Sequence, residues 1–127
     1  MRFLMAILLL GGVTVVQAAE WVPVSQISAN VREVDKSSIR GTKPILSFTS
    51  RHVIDDDKEL SLGRNPVKYL VMEQRVDCAR RTTLTLTSEA QRADGSTISK
   101  QRLLAQEAVG VLAGSVDEDV LKFVCGS

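Results

Sequence analysis

Two cysteines, one histidine and one run of acidic residues are the side chains of this 127-residue chain best suited to chemistry. Cys78 and Cys125 are its only thiols. They lack the Cys-x-x-Cys spacing of a redox motif and have no histidine-rich neighbour that would complete a metal site. In an exported chain, two such thiols usually form a structural disulfide. We therefore predict a Cys78–Cys125 bond, with a redox or metal pair as the alternative.

The single histidine and the acidic run give weaker indications of a reactive site. A Ser-His-Asp or Cys-His site would have to use His52, which lies near the end of a predicted strand on the same side as Phe48. Asp55–Asp57 and Glu59 lack the ligand spacing and the turn glycine of a calcium loop, so a solvated loop is the simpler interpretation. We predict a non-enzymatic protein with no catalytic residue, no cofactor and no metal site. A small hydrolase would need two carboxylates facing each other across a deep cleft.

Basic residues are concentrated in the middle of the chain. Between Arg64 and Arg102 there are eight basic and four acidic residues. The basic residues considered are Arg75, Arg80, Arg81, Arg92, Lys100 and Arg102. If their strands adjoin, one sheet face presents a basic patch that would attract an acidic partner or a sulfated polysaccharide. The alternative is a mixed, solvated strand face.

The first 18 residues have the three parts of a secretory signal. Arg2 supplies the positive charge, residues 3–10 are apolar, and residues 16–18 fit a cleavage site. The apolar run is shorter than the roughly 20 residues of a membrane span, although a retained N-terminal anchor is the alternative. No cysteine follows it for lipid attachment. We expect an exported protein in the periplasm, at the cell surface or secreted, with no membrane span in its mature chain.

Cleavage before Ala19 would leave a single domain, residues 19–127. Arg2 is one of the 16 basic residues, so the other 15 balance the 15 acidic residues of the mature part. This balance argues against nucleic acid as a partner, because phosphate binding draws on an excess of Lys and Arg.

The pattern of apolar residues predicts an α+β fold with an antiparallel sheet. Strands are predicted at 21–24, 30–35, 44–54, 67–76, 82–88 and 97–102. Leu84 and Leu86 are expected inward and the alternating threonines outward. Ser115 and Glu118 form a capping box that should begin a C-terminal helix packed on the sheet, with Cys125 on its last turn. Residues 103–113 are ambiguous between helix and strand.

Several short motifs resemble the surface-adhesin protein E family of Gram-negative bacteria. They are Trp21, the run Val34-Asp35-Lys36-Ser37-Ser38-Ile39, the run Val76-Asp77-Cys78-Ala79-Arg80-Arg81, the Asp94-Gly95 turn, and the closing segment from Gly114-Ser115 to Val124-Cys125. The resemblance covers essentially the whole predicted mature chain. It implies a sheet of about six antiparallel strands with a helix, linked by Cys78–Cys125.

The resemblance also implies a protein that binds host matrix or serum proteins rather than converting a substrate. The founding adhesin of the family is a lipoprotein, and the missing lipid-attachment cysteine departs from that pattern. A periplasmic accessory protein, either a hydrolase inhibitor or a component of envelope assembly, is therefore the second hypothesis. No motif identifies ligand-binding residues, and Asp35, Ser37 and Ile39 match only a structural signature.

Overall fold

The computed structural model describes residues 18–27, 30–54, 60–104 and 107–126. Its main element is an antiparallel sheet of eight strands, with a single α-helix, among the described residues, packed on one face. The strands are β1 (Trp21–Ile27), β2 (Asn30–Asp35), β3 (Arg40–Thr42), β4 (Ile45–Val53), β7 (Tyr69–Asp77), β8 (Thr82–Gln91), β9 (Thr97–Arg102) and β10 (Val109–Gly110). A separate small hairpin consists of β5 (Ser61–Leu62) and β6 (Asn65–Pro66), and the helix is α1 (Val116–Cys125).

Three long strands, β4, β7 and β8, form the middle of the sheet. On one side, β2 and β3 pair with successive parts of β4, and β1 pairs with β2 at the edge. On the other side, β9 and β10 pair with different parts of β8. The fold class predicted from the sequence is therefore confirmed. The sheet has eight strands rather than about six because it also includes β3 and β10, which are only three and two residues long.

The register divides the sheet into two faces. Leu46 lies opposite Val76 on the face that α1 covers, and both side chains are buried there. Helix residues Val120, Leu121 and Val124 complete this core. Burying apolar surface of this kind supplies most of the favourable free energy of folding. We call this side the helix face and the opposite side, which carries Ser47, Thr49, Glu73 and Arg75 among others, the open face.

Helix α1 begins and ends with the capping groups that its sequence predicts. The amide of Glu118 donates to the Ser115 hydroxyl at 3.2 Å, and the Glu118 carboxylate accepts from the Gly114 amide at 3.2 Å. Gly126 closes the helix with a φ of 71°, a left-handed conformation that glycine adopts without a steric penalty. These bonds satisfy backbone groups that have no partner within the helix.

The segment after β2 fills a gap along the edge of β4. β2 reaches Ser50 of β4 and β3 begins at Ser47, which leaves the amide of Thr49 between them. That amide donates to the hydroxyl of Ser38 at 2.8 Å, and the same hydroxyl donates to the Asp35 carbonyl at 2.6 Å. The run of residues 34–39, the first of the motifs that resemble the family, therefore maintains the hydrogen bonding along this edge of β4.

The run of residues 76–81, another of the motifs that resemble the family, forms the turn between β7 and β8. The Asp77 carboxylate accepts from the amides of Ala79 and Arg80, both at 3.0 Å. Cys78, at the start of this turn, is bonded to Cys125 on the last turn of α1, with 6.0 Å between their Cα atoms. The disulfide joins the sheet to the helix that covers it.

One expectation about β8 is wrong. Leu84 lies opposite the exposed Arg75, on the open face, while Thr85 lies opposite the buried Gln74 on the helix face. The cause is a polar layer on the helix face, where the Gln74 amide donates to the Thr85 hydroxyl at 3.1 Å. A bulge at Leu86, the residue of β8 that has no partner between Glu73 and Gln74 of β7, then shifts the phase of the alternation towards the end of β8.

Some expectations fall beyond the described part of the chain. The predicted signal at residues 1–18 lies outside it except for Ala18, and the acidic residues 55–59 lie outside it as well. Within the ambiguous segment 103–113, the structure has the short strand β10, and residues 105–106 are not described.

Candidate functional site

In the described part of the chain, no α-helix covers the open face of the sheet. Its outer margin is organised around Arg51 of β4, whose guanidinium lies 4.2 Å from the ring centre of Trp21 and 4.4 Å from that of Tyr69. The Nε atom of Arg51 also donates to the Glu33 carboxylate at 2.7 Å. Cation–π contacts of this kind rigidify the margin, because each ring restricts the position of the guanidinium. Arg51 is therefore a structural cation on this face.

Four other cations of the open face have no partner among the described residues. The register places Arg40, Ser47, Arg75 and Leu84 in one row across four strands, so two strand spacings, about 10 Å, separate the two arginines. Arg102 and Lys100 lie opposite Thr87 and Glu89 on the same face. All four cationic side chains are exposed, and none makes a hydrogen bond or ion pair with another described residue.

The carboxylates of the open face are mostly engaged in bonds within the protein. Glu33 is bonded to Arg51, Asp77 to two turn amides, and Glu89 to the hydroxyl of Thr97. Asp35 accepts from two amides and from the Ser37 hydroxyl. Burial alone would raise the pKa of Asp35, but these bonds outweigh it and hold the pKa below its ordinary value of 3.8.

Because these carboxylates are engaged, Glu73 is the one exposed, unpaired carboxylate among the face residues that the register places. The exposed part of the open face is consequently cationic, although the predicted mature chain as a whole is close to neutral.

Two shallow grooves run between these cations. One has a volume of about 490 Å³ and is lined by Arg40, Thr49, Glu73 and Leu86 among others. The other has a volume of about 340 Å³, and its lining includes Ile45, Leu84, Arg75 and Arg80. The first groove is lined mainly by polar side chains and includes Glu73 as well as Arg40. The second groove combines a mainly apolar lining with Arg75 and Arg80, an arrangement suited to an extended acidic segment.

The structure brings together only part of the predicted basic set. Arg75, Lys100 and Arg102 lie on the open face, and Arg80 lines one of its grooves. Arg81 instead donates to Glu118 of α1 at 2.7 Å, and Arg92 donates to the Asn65 side chain at 3.1 Å.

Arg40 joins the patch although the sequence did not indicate it. It lies outside the basic segment, in a three-residue strand whose pairing with β4 is visible only in the fold. A signal in the sequence would have been the turn at residues 43–44, which folds β3 back on β4.

His52 does not form a catalytic arrangement in the described part of the molecule. It is half-buried on the helix face, opposite Arg32 on β2 and Leu70 on β7, and makes no hydrogen bond there. Burial, and then the positive charge of Arg32, hold the pKa of His52 below its ordinary value of 6.5.

Neither a metal site nor a membrane-spanning helix is found in the described ranges. No group of three or more His, Cys, Asp or Glu side chains there is placed to hold a metal ion. No helix within the same ranges is long and apolar enough to cross a membrane.

The sheet, its covering helix and the bond between them define a small, disulfide-linked α+β domain with one open, cationic sheet face. The chain belongs to the surface-adhesin protein E family, whose model matches residues 21–126. Membership identifies an adhesin-like protein of the surface or exported kind.

Solved structures of Haemophilus influenzae protein E share the fold. A second crystal form of that protein has a TM-score of 0.57 and 11% sequence identity, and the match covers 87% of this chain and 97% of that one. Another structure of it has a TM-score of 0.58 at 11% identity, with 85% and 92% covered. Protein E from non-typeable Haemophilus influenzae has a TM-score of 0.53 at 12% identity, with 87% and 85% covered. No curated protein matches this sequence.

Proposed function

We propose that this protein is a non-enzymatic, exported binding module that attaches to an acidic segment of a host matrix or serum protein through the open face. Arg40 and Arg75, exposed and unpaired in one row, carry the proposal together with the family membership. An acidic partner would neutralise these arginines while its apolar side chains entered the groove lined by Ile45 and Leu84. The sequence match to the family supports an adhesin-like role, and the grooves add a surface for it.

The test is a binding assay with the protein expressed with its own leader and purified after export. A panel of immobilised matrix and serum proteins is compared for the native protein and the Arg40→Glu/Arg75→Glu variant. Reversing two rim charges should weaken binding to any recognised partner by at least about tenfold, because attraction becomes repulsion. Binding should also fall as the salt concentration rises from about 0.05 M to about 0.5 M.

The matched control is Arg64→Glu, which reverses another exposed arginine, at the turn between β5 and β6. This variant should bind like the native protein. Absence of saturable binding to every protein in the panel would refute the proposal. Binding only to a sulfated polysaccharide, with no protein bound, would refute the choice of partner.

We propose residence at the cell surface, and fractionation tests it against the periplasmic alternative. Added protease should degrade a surface-exposed protein on intact cells. Protection from protease and release with the periplasmic fraction would instead favour an accessory role, as an inhibitor of a hydrolase or in envelope assembly.

A further inference from the structure

A second candidate site lies on the helix face, between the sheet and the first turn of α1. It is a half-open depression of about 260 Å³, comparable in enclosure to the two grooves, which we call the helix-face cavity. Its lining combines one cation, Arg32, with two carboxylates, Asp117 and Glu107. Apolar side chains, including Met72 and Val109, form other parts of the wall. The volume approaches that of small-ligand pockets, which begin at about 300 Å³.

Arg32 has donors to spare in this wall. Its Nη2 atom donates to Gln74 Oε1 at 2.9 Å and to Ser50 Oγ at 3.3 Å, and it lies 4.0 Å from the sulfur of Met72. Its Nε atom is buried without a partner, and its Nη1 atom makes no hydrogen bond to the described residues. The Nη1 donor is not among the buried atoms, so it can receive an acceptor from a ligand, whereas the buried Nε atom cannot be reached by one.

The groups around Arg32 fix its position. Ser50 donates to Gln74 Oε1 at 2.6 Å, and Gln74 donates in turn to Thr85 at 3.1 Å. Ser50 is fully buried and Gln74 nearly so. The guanidinium is thereby held on a rigid polar layer, which lowers the entropic cost of binding.

The charges of the lining select the ligand. Arg32, Asp117 and Glu107 line the same cavity, yet no ion pair joins Arg32 to either carboxylate. A simple anion would meet two carboxylates, and a simple cation would meet the guanidinium. A molecule with an anionic and a cationic end satisfies both sides.

We propose that the helix-face cavity binds a small zwitterion, an apolar α-amino acid. Its carboxylate lies on Arg32, its ammonium group faces Asp117 and Glu107, and its side chain contacts Met72 and Val109. This site is independent of the open face, which lies on the other side of the sheet.

The test is titration of the protein with leucine, followed by the amide NMR signals. Saturable shifts are expected around Arg32, Gln74 and Asp117. Two half-ligands are titrated in parallel: 4-methylpentanoate, which lacks the ammonium group, and 3-methylbutylamine, which lacks the carboxylate. Each should bind at least about tenfold more weakly than leucine, because one charged contact is lost.

The variant Asp117→Asn separates recognition from folding. Asp117 is exposed on the first turn of α1, whereas Arg32 anchors buried groups and its replacement would disturb the core. The variant should bind leucine about tenfold more weakly without losing affinity for 4-methylpentanoate. Glu73→Gln, which removes an exposed carboxylate from the open face, is the control and should change neither affinity.

Three results would overturn the proposal. They are absence of saturable shifts with leucine, equal affinity for leucine and 4-methylpentanoate, and unchanged leucine binding in Asp117→Asn. The Arg40→Glu/Arg75→Glu variant should bind leucine normally, so the two sites succeed or fail separately.

Discussion

The hydroxyl of Ser38 makes two hydrogen bonds at a point where the sheet has no strand. It accepts from the Thr49 amide and donates to the Asp35 carbonyl, and Ser38 is 9% exposed. Its neighbour Ser37 makes a simpler contact, donating its hydroxyl to the Asp35 carboxylate at 2.6 Å. Ser37 and Ser38 are adjacent in the same motif, yet they should contribute unequally to the free energy of unfolding.

The variant Ser38→Ala should lower the free energy of unfolding by about 2 kcal/mol, because it leaves a backbone amide without an acceptor. Ser37→Ala is the matched control and should cost about 1 kcal/mol, since the Asp35 carboxylate keeps its bonds to two amides. Urea unfolding of both variants measures the difference. Equal losses would contradict the role assigned to Ser38.

His52 should make stability depend on pH. Its folded pKa is lowered by burial and by Arg32, so the unfolded chain binds more protons below the ordinary value of 6.5. The free energy of unfolding should therefore fall as the pH decreases from 6.5 towards the folded pKa, and this contribution should level off below it.

Urea unfolding at about pH 7.5 and about pH 5.0 tests this dependence. The variant His52→Gln should show a smaller drop in stability between the two conditions. An identical drop in the variant and the native protein would assign the effect to other groups.

At the scale of elements, helix α1 determines which sheet face becomes the core. Its N-terminal cap joins Ser115, Gly114 and Glu118, and Glu118 also receives Arg81 from the β7–β8 turn at 2.7 Å. The cap therefore anchors the helix to the sheet as well as satisfying its own amides.

Ser115→Ala should destabilise the protein by about 1 kcal/mol through loss of the N-cap acceptor. Ser115→Asp should restore most of that loss, because aspartate is an equally good N-cap. Thermal unfolding of the pair is the measurement. A variant Ser115→Asp no more stable than Ser115→Ala would show that the cap is not what holds this end.

An element can be predicted from the sequence when the residues that determine it are close together in the chain. The cap of α1, the Asp94-Gly95 turn and the bounds of β2 and β9 depend on neighbouring residues, and the sequence predicted them. The orientation of β8 depends on Gln74, a buried amide on another strand whose partner is Thr85. No alternation rule contains that information, so Leu84 and Leu86 were assigned to the wrong side.

For the whole molecule, the disulfide connects parts of the chain that are 47 residues apart. It couples the β7–β8 turn to the last turn of α1 and so holds the helix against the core. The cationic site, in contrast, consists of side chains from several strands, so no single segment of the sequence predicts it. The sequence indicated Arg75, Lys100 and Arg102 as candidates, whereas only the pairing of β3 with β4 adds Arg40.

Replacing both cysteines by alanine should lower the free energy of unfolding by about 4 kcal/mol, the entropic value for a loop of this length. Thermal unfolding with and without reductant measures it. Reductant should lower the melting temperature of the native protein and leave that of the Cys78→Ala/Cys125→Ala variant unchanged. A native protein insensitive to reductant, under conditions that reduce the bond, would show that the disulfide does not contribute.

The stacking of Trp21 on Arg51 has a practical consequence. Trp21 is the only tryptophan of the chain, and it is partly exposed at the margin of the open face. Its fluorescence is therefore an intrinsic reporter of that surface, with no indole elsewhere to obscure it. A macromolecule that covers the margin should shift the emission towards shorter wavelengths, whereas leucine in the helix-face cavity should leave the spectrum unchanged.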